Sequence, residues 1–117
     1  MTVAENDRRI DYIELAVKDI KKTKKFYNKV FGWEFEDFGS DYSSFNDGRL
    51  AGGFFESADV KTGGPLVVIY TIDLKGMQKK VVAAGGKITK PPFDFPGGRR
   101  FQFTDPSGHE LAIWSNV

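Results

Sequence analysis

Residues 10–17 (IDYIELAV) alternate strictly, with Ile13, Leu15 and Val17 on one side and Tyr12, Glu14 and Ala16 on the other. That two-residue period predicts a half-buried strand. The period then changes. Ile20, Phe26, Tyr27, Val30 and Phe31 recur at near-helical spacing, which predicts a helix from about 20 to 31, capped by Asp19 and stopped by Gly32. Short strands are expected at about 33–38, 42–46 and 50–56, divided by Gly39-Ser40 and by the hairpin signal Asn46-Asp47-Gly48. After a connection at 57–64, the second half predicts a strand over 66–72 (LVVIYTI), a helix from Asp73 to about Ala84 ending at Gly85-Gly86, and a strand at 87–90. Residues 91–98 (PPFDFPGG) read as a loop. The strands 99–104 and 109–115 should form a hairpin around Asp105-Pro106-Ser107-Gly108, which suits a type I turn.

These halves are two copies of one unit. Residues 17–35 and 71–89 align with a constant offset of 54, which sets Asp73 on Asp19, Leu74 on Ile20, Val81 on Tyr27 and Gly86 on Gly32. The expectation is an α+β fold of two tandem βαβββ modules, at about 9–56 and 65–115, joined by the linker 57–64 within one domain spanning 1–117. Paired half-domains of this kind enclose a cleft, and its lining becomes the functional question.

Composition narrows the answer. The chain has 117 residues, and seventeen Lys and Arg against sixteen Asp and Glu leave a net charge of +1, so no strong field draws in nucleic acid or an anionic membrane. The lysines at 21, 22, 24, 25 and 29 fall largely outside the apolar stripe of the first helix and read as a solvated face. Zero Cys removes disulfides, thiolate metal sites and a cysteine nucleophile, and no apolar run approaches membrane-spanning length, so a cytoplasmic setting is expected. Aromatic residues make up 15% of the chain, more than a small core requires. Dinucleotide, phosphate-loop and serine-hydrolase motifs are lacking.

The order of elements, together with IDYIELAVKDI, KKFYNKVFGW, AAGGKI and FTDPSGHELAIW, resembles the glyoxalase/bleomycin-resistance/extradiol-dioxygenase (vicinal oxygen chelate) superfamily from about residue 9 to residue 115. The resemblance implies a cup-shaped mixed sheet with helices outside, a ligand inside, and frequently a homodimer. In metal-dependent members, the ligands stand near the start of each module's first strand and on its last strand. Carried over, those four seats are Tyr12, a position near Gly52, Leu66 and Ala112, and none offers a usual metal ligand. One His and no Cys agree with this, so neither metal nor other cofactor is expected. His109, just after the Ser107-Gly108 turn, should point away from the cup as a turn-capping or exposed residue.

Strand parity then gives the lining. Tyr12 and Glu14 from the first strand, Leu66, Val68 and Tyr70 from the second module's first strand, and Glu110, Ala112 and Trp114 from its last strand face inward, with Arg100 and Gln102 projecting from the strand beside it. Such a mixture suits a small, partly apolar organic ligand. Glu14 is the candidate catalytic residue, since a carboxylate on an apolar face can serve as general base. The loop 91–98, with Phe93 and Phe95 between prolines and a Gly97-Gly98 joint, is a candidate lid. Metal-independent ligand binding in the cup is therefore the expected function. The alternatives are a glyoxalase-like lyase or isomerase using Glu14, Glu110 or a displaced metal, and an antibiotic-sequestering resistance protein.

Overall fold

The computed structural model describes residue 5 and residues 7–117. Its elements run β1 (Tyr12–Val17), α1 (Ile20–Phe31), β2 (Glu34–Asp37), β3 (Tyr42–Asn46), β4 (Ala51–Glu56), then β5 (Val67–Tyr70), α2 (Leu74–Ala83), β6 (Lys87–Phe95), β7 (Gly98–Thr104) and β8 (Glu110–Ser115). This is βαβββ twice.

Local chemistry explains both helix starts. Asp19 takes an extended φ of −146° and its carboxylate accepts the Lys22 N–H at 3.0 Å, satisfying one of the first-turn donors. Asp73 does the same for the Gly76 N–H at 3.0 Å. Helix α1 stops at Gly32, whose φ of +72° lies where a side chain is disfavoured. In the second module the left-handed residue is Gly85 (φ +95°), one place earlier than the repeat predicts. Gly86 serves contact instead: a Cβ there would press on Val81 and on the Phe26 ring.

The strands form two four-stranded sheets, ordered β1-β4-β3-β2 and β5-β8-β7-β6, each with one parallel pair beside antiparallel ones. Helix α1 serves both sheets. Tyr27 stacks on Phe54 of the first sheet at 5.1 Å while Phe26 lies 6.2 Å from Phe103 of the second. Phe26, Tyr27, Phe54, Phe101 and Phe103 all leave water almost completely, and each such ring contributes about 1.5–3 kcal/mol by burial. Trp33 extends this stack onto Phe45 at 4.6 Å.

The expected loop at 91–98 is a strand as far as Phe95. β6 continues through Pro91-Pro92 because it is an edge strand with register shifts between Ile88 and Phe93, where a missing N–H breaks no ladder. Only Pro96-Gly97 turns, with Gly97 at φ +113°, so no lid hangs over the sheet. His109 is also corrected. It faces away from the cup side as expected, yet it is buried at 8% exposure, with Nε2 2.6 Å from the Ala16 carbonyl. Burial follows from its position at the junction of the modules, where the Lys18 N–H also donates to Ser107 Oγ at 3.0 Å.

Candidate functional site

In the first module the free face of the sheet carries a phenol–phenol–carboxylate chain. The parallel register sets Glu14 beside Gly53 and the antiparallel register sets Ser44 across from it, so a position without a side chain lies between the strands bearing Tyr12 and Tyr42. Both hydroxyls lean over it, and a Cβ on Gly53 would overlap them. The Tyr42 hydroxyl donates to Glu14 Oε2 at 2.9 Å, which leaves Tyr12 as donor in the 2.5 Å contact between the two phenols. Desolvation, then the Tyr12 and Glu14 contacts, push the Tyr42 phenol above the ordinary range. The arrangement keeps the phenolic protons on both tyrosines and directs them along the chain toward Glu14. Tyr42 was not among the expected site residues.

The second module presents a different wall. Leu66, Val68 and Tyr70 are 37%, 45% and 47% exposed, an apolar row on the face opposite the core. Tyr70 meets the half-buried Trp114 edge-on at 5.1 Å and donates its hydroxyl to Asn116 Oδ1 at 2.7 Å. Arg100, paired across from Trp114, holds its guanidinium 5.2 Å from the Phe93 ring centre and 5.7 Å from that of Phe95. Val68, Phe95, Arg100, Trp114 and Asn116 share a cavity of about 310 Å³. Glu110 is already engaged: Thr89 donates to it at 2.6 Å and Gln102 at 3.2 Å, which holds its carboxyl below the usual range and makes it a fixed anion rather than a base. Gln102 is buried, and so is Ala112, whose short methyl is covered by Val68 and Gln102 on the neighbouring strands.

The expected residues therefore form two groups. Among the described residues no hydrogen bond or ring contact links Tyr12 and Glu14 to the second-module wall. A concavity of about 970 Å³ runs from Ile13 and Leu15 past Ile69 to Tyr70 and Trp114, across the gap between the unpaired edges of β1 and β5. Asn28, Asp47, Arg49 and Lys80 line it together with these apolar groups.

The metal seats can now be read from register. The last-strand seat of the first module is Gly53, since Gly52 faces the Phe45 ring in the core. Tyr12, Gly53, Leu66 and Ala112 do not fit a divalent ion, which needs about three imidazole, carboxylate or thiolate ligands. No cluster of three His, Cys, Asp or Glu that could hold one exists among the described residues.

Residues 9–113 match the glyoxalase/bleomycin resistance protein/dioxygenase superfamily. The chain belongs to that superfamily. Among relatives, CFP32 of Mycobacterium tuberculosis, provisionally named a glyoxylase, is 30% identical over 115 residues covering 89% of this chain and 44% of that protein. The anthracycline biosynthesis protein DauV of Streptomyces sp. strain C5 is 29% identical over 88% of this chain and 45% of its own length. The chain thus spans about half the length of these curated relatives. By contrast, an uncharacterised protein of Mycolicibacterium smegmatis matches along 94% of this chain and 96% of itself, at 28% identity. In three dimensions, a glyoxalase-related enzyme from Fulvimarina pelagi superposes with a TM-score of 0.80 at 20% identity over 93% of this chain and 88% of that one. A Mn(II) complex of a variant of the fosfomycin resistance protein FosX from Listeria monocytogenes reaches 0.82 at 22% identity, over 94% and 91%. These two superpositions establish the superfamily fold. Its members commonly dimerise and bind small molecules.

Proposed function

We propose that this protein binds a small, partly apolar organic molecule without a metal, in a cup completed when the half-cups of two copies meet. The observation that carries the reading is the content of the cup face: Tyr12, Gly53, Leu66 and Ala112 stand at the superfamily's metal seats, while Val68, Tyr70 and Trp114 supply an exposed apolar wall beside Arg100. The unpaired edges of β1 and β5 support a homodimer, because free strand edges next to exposed apolar side chains are surfaces that folded proteins normally cover. No helix among the described residues is long and apolar enough to cross a membrane. The zero cysteine count suits a reducing, cytoplasmic setting.

The test is a thermal-shift panel of small apolar and aromatic metabolites on chelator-treated protein, with elemental analysis and light scattering on the same sample. The expected outcome is a dimer free of stoichiometric metal whose Tm rises with at least one ligand class, since a ligand bound to the folded state stabilises it by mass action. Stoichiometric Mn, Fe, Ni or Zn surviving chelation, or binding restored only by added metal, would overturn the metal-free reading.

A further inference from the structure

We infer that the second-module wall is an anion site for a small aromatic acid, with Arg100 as the cation that anchors its carboxylate. The inference rests on the proposed cup function and adds the ligand's charge and shape. Among the described residues no carboxylate forms an ion pair with Arg100. Asp94, on the neighbouring strand, is committed to Arg99 at 2.7 Å. The Phe93 and Phe95 rings lie against the guanidinium and leave it cationic. Its Nε is buried and has no hydrogen-bond partner, the single such side-chain atom found among the described residues. Buried donors in folded proteins are nearly always paired, so the guanidinium that lines this cavity is short of an acceptor.

The shape of the cavity suggests what carries that acceptor. The cavity of about 310 Å³ is lined by Val68, Phe95 and Trp114, and an apolar wall of this kind accepts a ring of modest size laid against it. The two terminal nitrogens of the guanidinium fork can meet both oxygens of a carboxylate. Asn116 shares the rim, and with its Oδ1 taken by Tyr70 its amide N–H₂ is a second donor. One guanidinium and one amide suit a monoanion.

The experiment titrates the full-length protein with trans-cinnamate and with the isosteric neutral trans-cinnamamide, following the Trp114 indole N–H by NMR and affinity by calorimetry. The acid should bind at least about tenfold more tightly than the amide, with a salt-sensitive margin. Arg100→Gln should bring the acid to the level of the amide without weakening the amide, and Arg100→Lys should recover only part of the margin because a point charge cannot chelate. Arg100→Lys also keeps the cation over the rings, so a loss seen there in a protein with an otherwise unchanged spectrum is not a folding defect. Equal affinity for acid and amide in the wild type, or an acid preference surviving Arg100→Gln, sinks the anion inference and leaves the cup function standing. Binding of neither probe at millimolar concentration sinks both.

Discussion

Tyr27 shows how one side chain ties the molecule together. Its ring stacks between Trp33 at 5.0 Å and Phe54 at 5.1 Å, and its buried hydroxyl donates to Asp105 Oδ2 at 2.8 Å in the other module. Asp105 also accepts the Ser107 and His109 N–H groups at 2.9 Å, so the carboxylate organises the turn before β8. Burial, and then the Asp105 charge, push the Tyr27 phenol well above its ordinary range. The unfolded phenol loses its proton near pH 10 while the folded one keeps it, so folding stability falls as pH rises above about 10. Tyr27→Phe should cost about 1–3 kcal/mol at neutral pH, by leaving Asp105 one donor short, and should flatten this alkaline loss. Urea unfolding at pH 7 and pH 10.5 measures both effects. At this scale the sequence was partly legible. Glu14 and Tyr12 followed from alternation on β1, but Tyr42, 28 residues from Glu14, lies beyond the reach of any local period. Only the register that carries β3 and β1 to opposite sides of Gly53 brings it in.

Among the elements, α1 carries most of the consequence, because its apolar stripe is shared by two sheets rather than laid on one. Its first turn depends on Asp19, which caps the Lys22 N–H through its carboxylate and accepts the Thr23 hydroxyl on its carbonyl at 2.8 Å. Asp19→Ala removes the carboxylate alone. The expected loss is about 1 kcal/mol, seen as a lower urea midpoint at unchanged slope, since the cap alters stability but not the surface exposed on unfolding. Asp73→Ala at the weaker-packed α2, where Val81 is the buried residue, should cost no more. The caps and stops were legible because each is satisfied within four residues. Strand β6 was not. Two prolines and a glycine pair read as a loop, and an edge position that tolerates missing donors is a property of the sheet, not of the segment.

For the whole molecule, the junction between modules decides what the chain can do alone. Among the described residues three hydrogen bonds cross it: His109 to the Ala16 carbonyl, the Lys18 N–H to Ser107, and Tyr27 to Asp105. With the carbonyl as acceptor, His109 donates from Nε2. His109→Ala should separate two unfolding transitions that coincide in the wild type, one reported by Trp33 in the first module and one by Trp114 in the second. Coincident midpoints in that variant would show that the shared core around α1 couples the modules by itself. The two-unit architecture was determined by the sequence alone, because strand alternation, helix spacing and capping are short-range physics. That Tyr42 joins Glu14 and where the single histidine goes were decided by the tertiary structure. Those outcomes depend on contacts between residues tens of positions apart, and only the packed chain brings such residues within reach of one another.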